Sequence, residues 1–487
     1  MYNKIKIFFL LTIIATKVSA QIKSSDADTI MLNEVTIKAS SVIQKVDRKV
    51  LIPSVTQIKA SNNGVTLLKN MQLPRIIVNP VSNAITTPDG SSVQLRINGI
   101  EVTAAEIVAI QPQDIIRIEY HEEPGMRYGN AAAVIDYITR RRESGGNLST
   151  NLMNALWRLG FADDYLSAKV NHNKSEFGVN AYFHYRNINW TRENYQTFVF
   201  PTMEIRQSEI GKPTKFIEKF LNIAANYNLN EPDKYLFNVT FRNNNNNTPN
   251  SFTNRISALY SSADSVPASI SDHSTWWNNT PSLDIYFQRN MKHDQLIILN
   301  VVGTYMNSKS TRLYRQEQTG KDLFTSYSCI TGDKYSLIAE GIYEKKIKNG
   351  TLTAGIRHAQ SYTENNYSGN VTSDVGLAVE ESNVYTEYKF RKDKFSYTFG
   401  VGVKRTFYSQ DETNMENYTL RPQLGIVYNI NNSAYVRYFG YITAYPPSLS
   451  DLNNVTQNID ILQVQQGNPN LKTVWLNTNS INAGYNK

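Results

Sequence analysis

The sequence predicts a mainly β protein, a transmembrane antiparallel β-barrel preceded by a small N-terminal α+β domain. Three observations carry that reading. An export leader opens the chain, long strands with one apolar face dominate from about residue 144, and the connections between those strands alternate between short and long. The chain has 487 residues, of which 41% are hydrophobic and 19% charged, with a formal net charge of +8 and a single cysteine, Cys329. One cysteine excludes a disulfide framework or a cysteine metal cluster within one copy. The length excludes a small stapled scaffold.

Residues 1–20 read as a signal peptide. Lys4 and Lys6 precede the largely apolar run Ile7 to Ala15, and Val18, Ser19 and Ala20 place compact residues where a signal peptidase cuts. Gln21, not a cysteine, follows the cut, which argues against a lipid-anchored lipoprotein. No later stretch approaches the roughly 18 consecutive apolar residues of a membrane helix. Export, a mild positive excess and the absence of a dense basic stripe together exclude nucleic acid as a partner.

Residues 21–42 are polar and loose, with one extended-propensity island, Leu32-Asn33-Glu34-Val35-Thr36-Ile37. Residues 43–143 have a mixed texture and form a domain of their own. Gly64 to Met71 reads as a short helix after Asn62 and Asn63, and Val93 to Ile97 as a strand closed by an Asn98-Gly99 turn. Thr103 and Glu106 have capping-box spacing ahead of Ile107 to Ile110, and Ile115 to His121 alternates like a strand.

From residue 144 to 487 the period is two. Phe177, Val179, Ala181, Phe183 and Tyr185 share one face and Gly178, Asn180, Tyr182, His184 and Arg186 the other; Leu221 to Leu229, Tyr235 to Phe241 and Phe395 to Val403 repeat the pattern. Such strands, about ten residues each, suit a tilted crossing of a bilayer core. Short turns fall at Asn173 to Ser175, Asn230 to Asp233, Met291 to Asp294, Lys346 to Asn349, Arg391 to Lys394 and Asn431 to Ser433. Between them lie long connections, among them Asn244 to Thr280, Ser308 to Asp333 and Thr443 to Lys472. Trimmed turns on one rim and large loops on the other are the asymmetry of outer-membrane barrels. About fourteen strands are visible. A sheet in lipid cannot leave an open edge, so the barrel either closes at that number or continues; the ending Gly484-Tyr485-Asn486-Lys487, without a terminal aromatic residue, favours an incomplete barrel.

The chemistry-bearing residues point away from catalysis. His121, His172, His184, His273, His293 and His358 are scattered, without metal-helix spacing, and no nucleophile elbow is present. Neither an enzyme nor a cofactor is expected. Trp276 and Trp277 fall in the long connection Asn244 to Thr280 and suit either stacking on a ligand ring or packing within a loop or belt. Cys329 reads as an unpaired loop or rim residue.

Three segments in order resemble the plug domain of TonB-dependent outer-membrane receptors. They are Val93-Gln94-Leu95-Arg96-Ile97-Asn98-Gly99, Asp114 to Tyr120, and Pro124-Gly125-Met126-Arg127-Tyr128-Gly129-Asn130 through Thr139. Ala133 stands where the family usually has Gly, and Asp136 where Asn is commoner. Pro447 to Leu452 and Gly467 to Lys472 also resemble a long barrel loop of that family, and the whole is most similar to the outer-membrane β-barrel type of Bacteroidetes. The resemblance implies a barrel of roughly 22 strands around the plug, of which the fourteen here would be the front part. It gives Leu32 to Ile37 a candidate role as the TonB box, an extended segment able to add a strand to a periplasmic partner, against the alternative of a plain tether. Arg127, Tyr128 and Gly129 either pin the plug to a polar lumen or form a structural turn, and Arg140 to Arg142 read as a solvated charge run. The implied partners are the TonB energy-transducing protein, outer-membrane lipid, a small extracellular ligand such as a siderophore, glycan or peptide, and a surface lipoprotein. The competing reading is a barrel that binds or adheres without transporting, or a truncated receptor.

Overall fold

A computed structural model describes residues 42–485, apart from residues 46, 130, 141–142, 158–159, 232–233, 411–412, 432–433, 446, 448 and 453–454. The leader and the segment Leu32 to Ile37 lie outside the described residues.

The N-terminal domain is built on a six-stranded sheet in the order β1-β2-β7-β8-β5-β6. Its strands are β1 (Val42–Gln44), β2 (Lys49–Leu51), β5 (Val93–Ile97), β6 (Ile100–Val102), β7 (Ile115–His121) and β8 (Ala133–Thr139), with a small separate hairpin of β3 (Ile77–Asn79) and β4 (Ala84–Thr86). Helices α1 (Val55–Lys59), α2 (Gly64–Met71) and α3 (Ala104–Val108) accompany it. Local chemistry fixes the ends of these elements. Asn63 and Thr66 cap α2 reciprocally, and Glu106 accepts the Thr103 N–H at 2.8 Å ahead of α3. Asn98 and Gly99 both have positive φ, the backbone a tight two-residue hairpin needs, and join β5 to β6. The core is apolar: Val65, Leu67, Leu68, Ile107, Ile118, Ile135 and Tyr137 are fully buried. Each such side chain contributes about 1.5–3 kcal/mol by leaving water. Gly64 is small because it must be, since a Cβ there would stand 2.6 Å from the Ile107 carbonyl oxygen.

The remainder is the barrel. Its wall consists of β9 (Ser144–Asn154), β10 (Phe161–His172), β11 (Ser175–Trp190), β14 (Thr214–Glu231), β15 (Tyr235–Asn250), β17 (Ala268–Met291), β18 (Gln295–Gln318), β19 (Lys321–Ile347), β20 (Gly350–Gly369), β21 (Ser373–Lys392), β22 (Phe395–Gln410), β23 (Thr413–Asn429), β24 (Ala434–Tyr445) and β27 (Val474–Tyr485). That is fourteen strands among the described residues, as the sequence predicts. Three more, β12 (Glu193–Val199), β13 (Glu204–Lys212) and β16 (Arg255–Ser261), pair within the long-loop end. The strand order returns from β27 to β9. Antiparallel registers join every other neighbouring pair of the fourteen, but among the described residues none joins β27 to β9.

Alternation orients the wall. Phe177 and Val179 are exposed outward, at 55% and 49%, as are Leu221, Ile223, Phe399 and Val401, whereas Asn180, Asn226, Asn238 and Arg437 lie on the inner face. The short turns at Asn173 to Ser175, Met291 to Asp294, Lys346 to Asn349 and Arg391 to Lys394 fall where the sequence places them. The long connections differ from expectation. Ser308 to Asp333 is mostly strand, so that β18 and β19 reach 24 and 27 residues rather than about ten, and β17, which takes in the end of Asn244 to Thr280, reaches 24. Beyond the apolar band the ladder hydrogen bonds continue without an apolar face, so the alternation that marks the lower wall is silent about the upper one.

Candidate functional site: the plugged lumen

The N-terminal domain sits in the barrel lumen, and among the described residues its side-chain bonds to the wall gather in one short segment, Glu122 to Arg127. Met126 donates its N–H to the Glu387 carboxylate at 3.1 Å, and Arg127 donates to Glu344 at 3.0 Å. The Lys389 ammonium donates to the Pro124 carbonyl at 3.1 Å and pairs with Glu387 at 3.2 Å. Arg437 serves both Glu122 and Glu123, and Tyr435 donates to Glu122 at 3.2 Å. A thioether completes the dock. Met126 lies over two glycines of β22, such that a Cβ on Gly400 would meet its Sδ at 2.9 Å and one on Gly402 its Cε at 2.8 Å.

The charges are strongly perturbed. Burial works against ionised Glu122, but Arg437 and Lys49 outweigh it and hold the carboxyl below its ordinary range. Glu123 shares the same guanidinium with a like charge beside it, and burial pushes it up to about 7. Arg127 is buried, yet Tyr128 and Glu344 hold its guanidinium above its usual range. The His121 imidazole is driven well below the ordinary value by burial, with Arg48 adding to the effect.

Above the dock is a chamber of about 600 Å³, floored by Arg96, Met126, Arg127 and Tyr128 and walled by Tyr286, Glu340 and Tyr385. A strap crosses the lumen higher up. The segment between β24 and β27 carries a short helix, α4 (Leu449–Leu452), and a hairpin of β25 (Gln457–Asn458) and β26 (Val464–Gln465). Leu452 and Val455 pack on Tyr367, Val375, Leu377 and Tyr408, and Arg312 of the opposite wall donates to the Ile459 carbonyl at 2.9 Å.

The residues singled out in the sequence distribute as follows. Arg96 donates to the Gly99 carbonyl, and the Gly99 N–H donates to the Asp136 carboxylate at 3.1 Å, so these residues brace the β5–β6 turn. Asn98 bonds Thr139 at 2.8 Å. Of the Arg127-Tyr128-Gly129 trio, Arg127 reaches the wall, whereas Tyr128 makes ring contacts, 5.1 Å from His121 and under the Arg96 and Arg127 guanidinia. Arg140 is exposed, while Arg141 and Arg142 are outside the described residues. Trp276 and Trp277 are not in a loop: both lie in β17, opposite Thr248 and Asn247, where neighbouring strands hold them in the upper wall. Cys329 is likewise in β19, opposite Thr311 and Ser368. Among the described residues no group of histidine, cysteine and carboxylate side chains could hold a metal ion, and no helix is long and apolar enough to cross a membrane. Sequence reasoning missed Glu344, Glu387, Lys389, Arg437 and the Gly400/Gly402 slot. Their only signal is inward-facing charge or glycine at the short-turn end of a strand, and that signal names no partner.

The fold, a β-barrel with a folded domain in its lumen, is shared by solved outer-membrane receptors. The ferric enterobactin receptor of Pseudomonas aeruginosa aligns over 92% of this chain and 71% of its own, at 11% identity with a TM-score of 0.53. The hemophore receptor HasR of Serratia marcescens, solved with its hemophore and heme, aligns over 90% and 69%, at 9% identity and 0.51. The pyoverdine outer-membrane receptor FpvA of Pseudomonas aeruginosa aligns over 84% and 63%, at 11% identity and 0.51. The chain thus spans about two thirds of these receptors. No family model and no curated protein sequence matches it.

Proposed function

We propose that the protein is an outer-membrane receptor that captures a small ligand on the long-loop side of its lumen and admits it to the periplasm when a TonB-type partner pulls on Leu32 to Ile37. The observation that carries this reading is the dock itself. A folded domain fills a barrel with an apolar outer wall, and it is held there by a few charge-assisted bonds that a force on its N-terminal strand can break. In sequence, β1 and β2 follow directly on the segment assigned to the partner, and β2 meets β7 over only three residue pairs. Residues 1–20 act as the export leader, 21–42 as the coupling segment, 43–143 as the plug and 144–487 as barrel. β27 and β9, which close the strand order of the barrel, are where further wall would enter. They run in opposite directions, so an even number of antiparallel strands fits there. Ligand capture falls to the chamber over Arg96, Arg127 and Tyr128 and to the upper wall near Trp276 and Trp277. The ligand is of the siderophore, glycan or peptide kind; the solved relatives named for ferric enterobactin, pyoverdine and heme support the small-ligand class. Deleting Leu32 to Ile37 tests the reading: a receptor of this kind keeps surface binding of its ligand and loses uptake, whereas an adhesive barrel is unaffected by the deletion.

A further inference from the structure

The charged side chains that line the chamber above the dock are bonded, with two exceptions. Arg242 stands 3.7 Å from Asp284, Lys404 pairs with Glu381 at 2.7 Å, and Arg127 with Glu344 at 3.0 Å. Arg421 donates to Asn383 at 3.3 Å, Arg96 to the Gly99 carbonyl at 2.9 Å, and Glu101 accepts from Gln94 at 2.6 Å. Glu340 and Arg357 line the same chamber, and among the described residues neither takes part in a hydrogen bond or an ion pair.

The two face each other. Glu340 of β19 is the register partner of Arg357 of β20, which places their Cβ atoms about 5 Å apart, and each charge acts on the other. Opposite charges at that spacing ordinarily close into a salt bridge. Here both heads are turned to the chamber, in a setting that favours a bond. The neighbours of Glu340 on the same face of β19 are Ile338 and Ile342, which also line the chamber. Tyr286 and Tyr385, only 5% and 4% exposed, stand in the same wall. Apolar surroundings cost an unpaired charge its solvation and strengthen any partner it takes. The other charged groups near Glu340 are Arg96, Arg127 and Glu101, and the bonds above already hold them.

We propose that Glu340 and Arg357 together seat a zwitterionic head, the ammonium and carboxylate that an α-amino acid carries on one carbon, with the ammonium on Glu340 and the carboxylate on Arg357. The inference rests on the uptake reading above and narrows the ligand to one that bears such a head. A purely anionic solute bound to Arg357 is repelled by Glu340, and a purely cationic one bound to Glu340 is repelled by Arg357. Only a group with both charges satisfies the pair. The guanidinium fork matches a carboxylate, and the Glu340 carboxylate accepts from an ammonium. The rest of the ligand has Ile298, Ile338 and Ile342 to lie against.

Binding of L-norleucine to the whole chain in lipid nanodiscs tests this, read as a dissociation constant by NMR saturation transfer with empty nanodiscs subtracted. Hexanoate and pentylamine, the same skeleton without the ammonium or without the carboxylate, serve as the comparison. The seat requires each of them to bind at least about tenfold more weakly than norleucine, and Glu340→Gln and Arg357→Gln each to weaken norleucine by about tenfold. Exchanging the charges, Glu340→Arg with Arg357→Glu, recovers most of that loss, because the two ends of the head trade places. The exchange also stands in where a single variant shows no heat-modifiable band on gels. Hexanoate binding as tightly as norleucine, norleucine binding indifferent to both Gln variants, or no norleucine binding at all overturns the seat. Uptake is judged separately by the deletion of Leu32 to Ile37, which leaves norleucine binding unchanged, so a failed seat and a failed transporter are told apart.

Discussion

Met126 and Glu387 lie 261 positions apart in the chain, yet the backbone N–H of one is bonded to the carboxylate of the other at 3.1 Å in a buried setting. The same carboxylate pairs with Lys389 and accepts from Gln423 at 3.1 Å. Replacing it therefore strands more than one polar group. Glu387→Ala is expected to loosen the plug by about 3 kcal/mol, since a buried donor and a buried ammonium lose their acceptor together. Glu387→Gln, which keeps an acceptor for Met126, recovers part of the loss. Calorimetry of the detergent-solubilised protein reads the effect as a fall in the plug transition with the barrel transition unmoved.

The glycine slot makes a second, non-additive prediction. Gly402→Val places methyl groups where the Met126 methyl lies and is expected to cost about 1–3 kcal/mol by overpacking. Met126→Ala alone costs about 2–4 kcal/mol through the space it leaves. In the double variant the contact with Met126 is gone and only those with Tyr385 Cβ and the Val384 carbonyl remain, so the pair is expected to fall short of the sum by about 1 kcal/mol in a urea titration.

Glu123 gives the dock a pH dependence of definite sign. Its folded pKa, about 7, stands above the ordinary 4.5, so the docked state holds a proton that the free plug releases. The stabilisation from this group is present below pH 4.5 and is lost as pH rises to 7. Glu122 acts the other way: its folded pKa is depressed, and its contribution is present above 4.5 and lost as pH falls through that lower value. Glu123→Gln should remove the neutral-side loss and raise plug stability at pH 8 by up to about 3 kcal/mol, leaving pH 4 little changed. The urea midpoint measured from pH 4 to pH 8 decides it.

Within the plug, Gly64→Ala drives a methyl group against the Ile107 carbonyl, which belongs to the backbone and cannot swing aside. A loss of about 2 kcal/mol is expected. Asn63→Ala removes only the cap of α2 and should cost about 1 kcal/mol. The same calorimetric plug transition ranks the two, and equal losses would contradict the close approach.

Much of this architecture is legible in the sequence because lipid and tight turns impose local rules. Phe177, Leu221 and Phe399 announce their face by alternation, and Asn98-Gly99 announces its hairpin by backbone preference. The upper wall announces nothing. Ser308 to Asp333 is held by ladder bonds that any polar residue can make, and so Trp276, Trp277 and Cys329 read as loop residues although they lie in strands. The dock is illegible for a different reason. Arg127 can be recognised as a residue in want of an acid, but choosing Glu344 rather than another inward carboxylate requires the register of every strand between them.

The helix end of the strap is anchored by the Leu452 and Val455 side chains, but its hairpin is gripped through the main chain, since Arg312 donates to the peptide oxygen of Ile459 and to no side chain there. A latch that holds the path of the backbone is indifferent to its lettering. The outermost residues of this crossing can therefore drift in identity, even toward another clientele, while the door they belong to still shuts.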